Sequence, residues 1–555
     1  EMKTERALNA VRLPDGSVKE VPSGTRLLEL APPSTSGPDR VVGALLQGEP
    51  VSLHASITED CEVQWLRPSS HDGIRFIRRS LSCVLVRAAK DLFPERRLTI
   101  LHSLSKGLFC ELDGERPLRR SEVEALSARV AELAAAEMPM LPLALSRAEA
   151  LGRFIVERPD LARLFRNRDG EEATFYEFDG LVDYFHGPLV PHSGYVGPFE
   201  LRFYAPGFIL RYPSDEAPEV LPPFVDTRRL GKVFYEFKEW SQVLQVPDVG
   251  ALNDIISLGE VNDFVRVAEA LHEKRIAQIA DAIDAARDRV RLILIAGPSA
   301  SGKTTFAQRL AVQLRVNGMR PIPISLDDYY RNRDECPRDD NGEFDFEAVE
   351  ALDIELLNDQ LQRLTFGEAI HFPRFNFKTG KREFRQTALR LEPGQILICE
   401  GIHALNECIS ESVAKANKFK IYISALTQLN VDDHNRVPTT DTRLIRRIAR
   451  DIQFRGTGAR ETLARWRSVR RGEDRYIFPF QEEADVMFNS GLFYELCVLR
   501  GMVEPLLREV PEDAAEYTEA RRLIDLLVNF RVVGTDEIPP NSIPVSYTHL
   551  RAHET

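Results

Sequence analysis

Three observations predict a multidomain α/β protein. From Arg291 onward, short apolar runs that end in loops alternate with helical stretches, the pattern of a parallel sheet covered by helices. The segment Gly297-Pro-Ser-Ala-Ser-Gly-Lys-Thr304 lies between one such strand and one such helix. Finally, 555 residues are too many for a single core, and the length suggests three to four domains.

The first element set, residues 1–68, reads as small and β-rich. Pro14-Asp15-Gly16 is a turn signal between short strand-like runs, and Gln47-Gly48-Glu49 is another after the apolar patch Val41 to Leu46. Residues 69–245 mix helix and strand. Ser80 to Leu92 has helical periodicity. Ser121 to Met138 reads as a helix with Ser121 as N-cap and Glu124 completing a capping box. Leu201 to Leu210 carries a turn at Pro206-Gly207. Residues 246–290 read as a helical connector, one long amphipathic stretch beginning at Asn253 with Phe264, Leu271, Ile276 and Ile283 near one face. Residues 291–535 form the strand–helix alternation, and 536–555 a tail; from Val545 on it does not read as part of any element.

Composition bounds the function. The chain is 43% apolar and 28% charged, ordinary for soluble globular protein. It has no run of about 18 apolar residues and no apolar signal core at Glu1 to Arg6, so a cytoplasmic protein without membrane partners is expected. Seven Cys without a C-x-x-C pair argue for a reducing compartment and against a zinc knuckle. A formal charge of −13 disfavours general nucleic-acid binding; local basic patches leave RNA open as a partner, though it is not the expected one. A small-molecule substrate and a homo-oligomeric state are expected.

Gly297 to Thr304 matches G-x-x-x-x-G-K-[ST] in the context that motif needs, after strand Leu292 to Ala296 and before helix Thr305 to Val316. Its glycines turn backbone N–H groups onto phosphate oxygens, Lys303 adds a point charge and the Thr304 hydroxyl suits Mg²⁺. Strand Pro321 to Ser325 ends in Asp327-Asp328, where α/β folds bind ligands and where a carboxylate suits proton removal from an attacking hydroxyl. Strand Gln395 to Cys399 ends in Glu400, placed to help hold Mg²⁺. Ten Arg between Arg443 and Arg471 form a candidate lid; a solvated helix face and an RNA patch are the alternatives.

At these residues the chain resembles the uridine kinase and phosphoribulokinase family. The resemblance runs from about Arg291 to Leu507 through Gly297–Thr305, Leu326-Asp-Asp-Tyr-Tyr330, Phe344-Asp-Phe-Glu347, Pro373-Arg-Phe-Asn-Phe377, Glu400-Gly-Ile402 and Arg446 to Gly456. It implies a P-loop NTPase domain that uses ATP and Mg²⁺ to phosphorylate a nucleoside 5′-hydroxyl. Asp327 would be the general base, and Lys303 would act on the phosphates. Gly297, Ser299, Ala300, Ser301, Gly302, Lys303, Thr304, Thr305, Arg450 and Arg455 would hold the nucleotide. Tyr330, Asp339, Phe375 and Arg447 would hold the substrate, and Thr304 and Glu400 the Mg²⁺. On the base-reading side the family's His and Gln are Gly380 and Arg465 here, so a roomier pocket with altered base selectivity is expected.

The front half resembles threonyl-tRNA synthetase. Leu13-Pro-Asp-Gly-Ser17 and Pro22-Ser-Gly-Thr25 are similar to its TGS β-grasp domain. Residues 69–245 are similar to its α+β editing domain, through Gly187-Pro-Leu-Val-Pro-His-Ser-Gly194. The editing residues are replaced by Arg79, Cys83, Phe185 and Leu189, which implies the fold without editing chemistry and without zinc. The three-part arrangement resembles bacterial uridine kinase-like nucleoside kinases. The tail from about residue 544 is similar to a translated sequencing adapter and is expected to be non-native. Two other readings compete: a kinase for another small hydroxyl metabolite, and an ATP-dependent regulator linked to tRNA or the ribosome.

Overall fold

The structure is a computed structural model, and it describes residues 8–33, 37–338, 342, 344–376, 379–427 and 429–548. Leu8–Arg12 and Val18–Pro22 form an antiparallel hairpin, closed by a turn in which Asp15 accepts hydrogen bonds from the Ser17 N–H and hydroxyl. Leu8–Arg12 then runs parallel to Cys61–Leu66, which joins Gly43–Leu46 and Glu49–Val51 in one five-stranded sheet. Alternate residues Val11, Val21 and Val63 supply its core, as a half-buried sheet requires.

The middle region has a four-stranded sheet and a three-stranded sheet. The first is built from Leu98–Leu104, Gly107–Leu112, Gly207–Arg211 and Glu200–Tyr204. Helices His71–Leu92 and Arg120–Ala135 cover its inner face through Phe76, Leu81, Leu85, Val123 and Val130. The first helix starts well before Ser80, because the Ser70 hydroxyl caps it by accepting the Gly73 N–H. The second has Arg119, not Ser121, at the N-cap; Glu122 rather than Glu124 reaches back to accept the N-cap N–H. Glu122 is fixed there by Arg116, a partner that local spacing does not reveal.

The expected single helix from Asn253 is two, Val249–Ser257 and Val261–Asp284, broken at Gly259 with φ +77°. Asp248 caps the first, and Asn253 lies inside it, its buried amide donating to the Asn529 carbonyl. One apolar core joins these helices to the middle region and to the last part of the chain, through Phe175, Leu252, Leu444 and Leu523.

The last part is built on a five-stranded, all-parallel sheet in the order Arg320–Ser325, Gln395–Glu400, Leu292–Ala296, Lys418–Ser424, Val486–Asn489. The central strand Leu292–Ala296 is buried throughout, as a strand covered on both faces must be. Near the C-terminus, Ile543–Thr548 forms a short helix, against the expectation that nothing from Val545 on belongs to an element. Ile543 and Val545 are buried, and the Ser542 hydroxyl meets the Tyr494 hydroxyl at 2.9 Å. Residues 549–555 lie outside the described residues. Among the described residues, no helix is long and apolar enough to cross a membrane.

Candidate active site

The site lies at the C-terminal ends of the parallel strands. Strand Leu292–Ala296 leads into the Gly297–Thr304 loop, and helix Lys303–Val316 begins at its end. Ala300 and Gly302 take positive φ, +58° and +86°, curling the backbone so that successive N–H groups face inward. Gly297 is required by close approach: a Cβ there would stand 2.2 Å from the Ile423 carbonyl oxygen of the neighbouring strand.

Register then sets the acids. Ser325, Glu400 and Ile295 occupy one row across three adjacent strands. Glu400 Oε1 therefore accepts from the Ser325 hydroxyl at 3.2 Å and from the Thr304 hydroxyl at 3.3 Å. Burial raises the Glu400 carboxyl above the usual range, and the Asp327 charge adds to this. Burial lowers the Lys303 ammonium, while Glu400 and Asp327 partly restore it. Lys303 Nζ donates to the Pro298 carbonyl at 3.2 Å, resting on its own loop.

Asp327 and Asp328 sit on the 3₁₀ turn Leu326–Tyr329 and divide their work. Asp328 accepts the Phe375 N–H at 3.2 Å and faces Arg385, pinning the hairpin Pro373–Asn376/Lys381–Phe384 beside the turn. Asp327 stays exposed, within electrostatic reach of Lys303, Glu400 and Arg455. Tyr330 lies 5.7 Å from the Phe375 ring, its hydroxyl donating to the Phe346 carbonyl at 2.9 Å. Burial, followed by the Glu473 charge, pushes Glu347 up to about 7.

The arginine cluster occupies helices Thr439–Arg455 and Ala459–Tyr476, joined through Gly456 at φ +62°. It does not act as one lid. Arg443 and Arg446 are fully buried and hold the phosphate loop through the Ser299 and Ala300 carbonyls. Arg443 Nε donates to the Ser299 carbonyl at 3.0 Å and pairs with buried Glu473, which accepts the Ser299 N–H at 3.0 Å. Arg446 pairs with Glu495 and donates to the Ser490 carbonyl at 2.9 Å. Arg447 donates to the Ser299 hydroxyl at 2.6 Å and to Asp451 at 2.7 Å. Arg455 is half-exposed and bridges to Asp451 at 3.2 Å. Residue type alone does not distinguish these buried clamps from solvent-facing arginines, and spacing along the chain does not mark Glu473 or Glu495 as their partners.

The structure thus brings Lys303, Thr304, Asp327, Tyr330, Phe375, Glu400, Arg447, Arg450 and Arg455 to one end of the sheet; Asp339 lies outside the described residues. The expectation that Gly380 leaves room is corrected. It has φ +69°, and an added Cβ would meet Arg333 side-chain atoms at 3.1 Å. The turn demands glycine, and Arg333 fills the space. Arg465 is exposed, whereas Trp466 is buried under the Arg443 guanidinium.

The four synthetase-like positions are equally closed. Arg79 donates to the His186 carbonyl at 3.0 Å and lies where any side chain at Gly187 would stand. Burial lowers Arg79 to about 9 and His186 to about 3. Phe185 and Leu189 are core residues, and the thiol of buried Cys83 is raised well above its ordinary value. Among the described residues, no group of three or more His, Cys, Asp or Glu is arranged to hold a metal.

Residues 292–494 match the sequence profile of the Phosphoribulokinase / Uridine kinase family. The N-terminal region matches threonine–tRNA ligases. That of Pelobacter propionicus is 28% identical over 194 residues, 35% of this chain and 30% of the relative. That of Burkholderia multivorans is 30% identical over 197 residues, 35% of this chain and 31% of the relative. The chain therefore spans under a third of the length of these curated relatives. Among solved structures, a "possible uridine kinase" from Bacillus stearothermophilus is 22% identical, with a TM-score of 0.27, covering 39% of this chain and 98% of that one. D-glycerate 3-kinase from Cryptococcus neoformans is 12% identical, with a TM-score of 0.22, covering 47% and 93%.

Proposed function

We propose that the phosphoribulokinase / uridine kinase family domain carried by this chain transfers the γ-phosphoryl group of ATP to a small-molecule hydroxyl, the 5′-hydroxyl of a nucleoside. The observation that carries this reading is the exposed Asp327 carboxylate just past a strand end, within electrostatic reach of Lys303 and of Glu400 on the neighbouring strand. Asp327 takes the hydroxyl proton as the oxygen attacks the γ-phosphorus, and ADP leaves. Loop N–H groups and Lys303 receive the charge on the phosphates, with Arg450 and Arg455 of helix Thr439–Arg455 closing on them. Tyr330 and Phe375 form the apolar shelf for the substrate, and Arg447 orients it.

The loop fits a nucleotide. The Ser301 hydroxyl is buried with no hydrogen-bond partner among the described residues, and the inward N–H groups form a nest for anions. The Thr304 hydroxyl and Glu400 carboxylate, 3.3 Å apart, are the donor pair that suits Mg²⁺. When bound there, the ion supplies positive charge to the nucleotide phosphates. The closure around Gly380 by Arg333 favours a second acceptor class, a small polyhydroxyl metabolite lacking a base.

The test separates binding from chemistry. Lys303→Ala should weaken ATP binding and turnover together. Asp327→Asn should leave ATP binding intact and lower turnover by about 10²–10⁴-fold, the usual worth of a general base. A nucleoside panel with ATP identifies the acceptor. Unchanged turnover in Asp327→Asn removes this residue from the mechanism, and turnover only with non-nucleoside alcohols selects the second reading.

A further inference from the structure

Helix Thr439–Arg455 grips the phosphate loop with one face. Arg443 reaches the Ser299 carbonyl at 3.0 Å and Arg447 the Ser299 hydroxyl at 2.6 Å. At about 3.6 residues per turn each residue advances the helix by about 100°. Asp441, in the first turn, therefore stands roughly opposite these two arginines. Asp441 is buried and both its oxygens are taken: Arg522 Nη1 donates to Oδ2 at 2.6 Å, and Nη2 to Oδ1 at 2.8 Å. The helix is thus held by the loop on one face and by a two-pronged guanidinium fork on the other. A fork sets direction as well as distance, so it fixes the helix against rotation about its axis.

Arg522 lies on helix Tyr517–Leu527, outside residues 292–494 that match the kinase family. Its remaining N–H groups go to Glu519, which accepts Nη2 at 2.7 Å and Nε at 2.9 Å. Glu519 also accepts two N–H groups of Arg75, at 2.8 and 3.3 Å, and Arg75 belongs to helix His71–Leu92 of the synthetase-like region. One turn further on, Arg79, at one of the four closed synthetase-like positions, donates to the Arg75 carbonyl at 3.1 Å. A chain of alternating charge, Arg75–Glu519–Arg522–Asp441, therefore runs from the closed centre to the back of the arginine helix. None of its four side chains is more than 26% exposed, so solvent screens it little. Burial opposes the Arg522 charge, and Asp441 and Glu519 outweigh it, holding the guanidinium well above its ordinary value.

The side-chain bonds of Arg522 go to Glu519 and Asp441 and not to the phosphate loop, so its influence on a nucleotide passes through Asp441 and the helix. A cradle of fixed donors works only while its supports hold their places, and a shift of about 1 Å is enough to impair it strongly. We infer that Arg522 is a positioning residue of the nucleotide site, acting through Asp441, and that the synthetase-like region braces the arginine helix through Arg75 and Glu519. The inference rests on the reading of the phosphate loop as an ATP site. It gives the front half of the chain a part in nucleotide binding that needs no editing chemistry.

The test is calorimetric titration of the full chain with adenylyl imidodiphosphate and Mg²⁺, well below the melting transition of every variant. Arg522→Gln and Asp441→Asn should each weaken binding about tenfold. The double variant should be no weaker than the weaker single, because both remove one contact. Arg522→Lys keeps the charge without the fork and should fall between parent and Arg522→Gln; with Asp441→Asn it carries the test where Arg522→Gln does not fold. Arg75→Gln should weaken binding about threefold. Val63→Ala, which opens the core of the first sheet, should lower the melting temperature and leave the affinity unchanged, a split that a merely structural ion pair does not produce. Affinities within about twofold of the parent for both Arg522→Gln and Asp441→Asn, or losses that add in the double variant, overturn the inference alone. Unchanged affinity in Arg75→Gln overturns the brace. A parent that does not bind the analogue, or Lys303→Ala binding it as tightly as the parent, overturns the ATP-site reading and this inference with it.

Discussion

Glu473→Gln probes the buried clamp beneath the phosphate loop. Glu473 is fully buried and accepts from three groups: the Ser299 N–H at 3.0 Å, Arg470 at 2.8 Å, and Arg443, itself only 2% exposed. Arg443 in turn holds the Ser299 carbonyl at 3.0 Å, so both backbone groups of one loop residue depend on the pair. Burial lowers the Arg443 guanidinium, and Glu473 offsets that effect. The glutamine retains the shape and one acceptor oxygen but leaves two arginines facing a neutral group. Removing one partner of a buried pair costs about 3–5 kcal/mol. The retained oxygen places the expected cost near the lower end, about 3 kcal/mol. For a domain of roughly 200 residues that corresponds to a fall in melting temperature on the order of 6–12 °C. Ser299 is part of the phosphate cradle, so ATP affinity should fall as well. Differential scanning calorimetry with and without a non-hydrolysable ATP analogue reads both effects. A variant melting within about 2 °C of the parent, with unchanged analogue affinity, would refute the idea that this pair holds the loop.

Three other outcomes are expected. Gly297→Ala sets a Cβ 2.2 Å from a backbone oxygen that cannot rotate away; it should abolish analogue binding in a filter assay and cost about 1–3 kcal/mol of stability in denaturant titration. Glu347 is raised from its ordinary 4.5 to about 7, so the folded chain holds a proton that the unfolded chain releases. Its contribution to stability should therefore fall as pH rises from about 4.5 to about 7 and then level off. Glu347→Gln should flatten that part of the melting-temperature profile, and an unchanged slope would discount the group. Asn435 accepts the His186 N–H at 2.9 Å and donates to the Tyr184 carbonyl at 2.9 Å, joining the segment before the arginine helix to the synthetase-like region. Asn435→Ala leaves both buried groups unpaired, at about 1–3 kcal/mol each. Limited proteolysis should show faster cleavage around this segment.

Local rules reached a definite part of this protein. The phosphate loop was legible because its chemistry is contiguous: strand, glycine turn, Lys303, Thr304 and helix follow one another in eight residues and their flanks. Asp327 and Glu400 were legible because an acid that ends an apolar strand must lie at the sheet's C-terminal edge. Turn chemistry likewise marked the first hairpin. Helix limits were less secure. Ser121 is a suitable cap residue, yet the cap fell at Arg119 because Arg116 draws Glu122 back; the long helix broke at Gly259.

Properties that depend on burial and on partners far apart in the chain emerge only when the chain is folded. The arginines of one sequence cluster divided into loop clamps and solvent-facing groups according to whether Glu473 or Glu495 met them in the interior. Gly380, which reads as space, is filled by Arg333, more than forty residues earlier in the chain. The polar outer face of the Leu98–Leu112 hairpin became the wall of a cavity only because a helix more than a hundred residues later stands off from it. Spacing along the chain specifies backbone conformation, since those interactions are local. The environment of a side chain is set by packing between distant segments, and that sum of long-range contacts is not written in any one stretch of sequence.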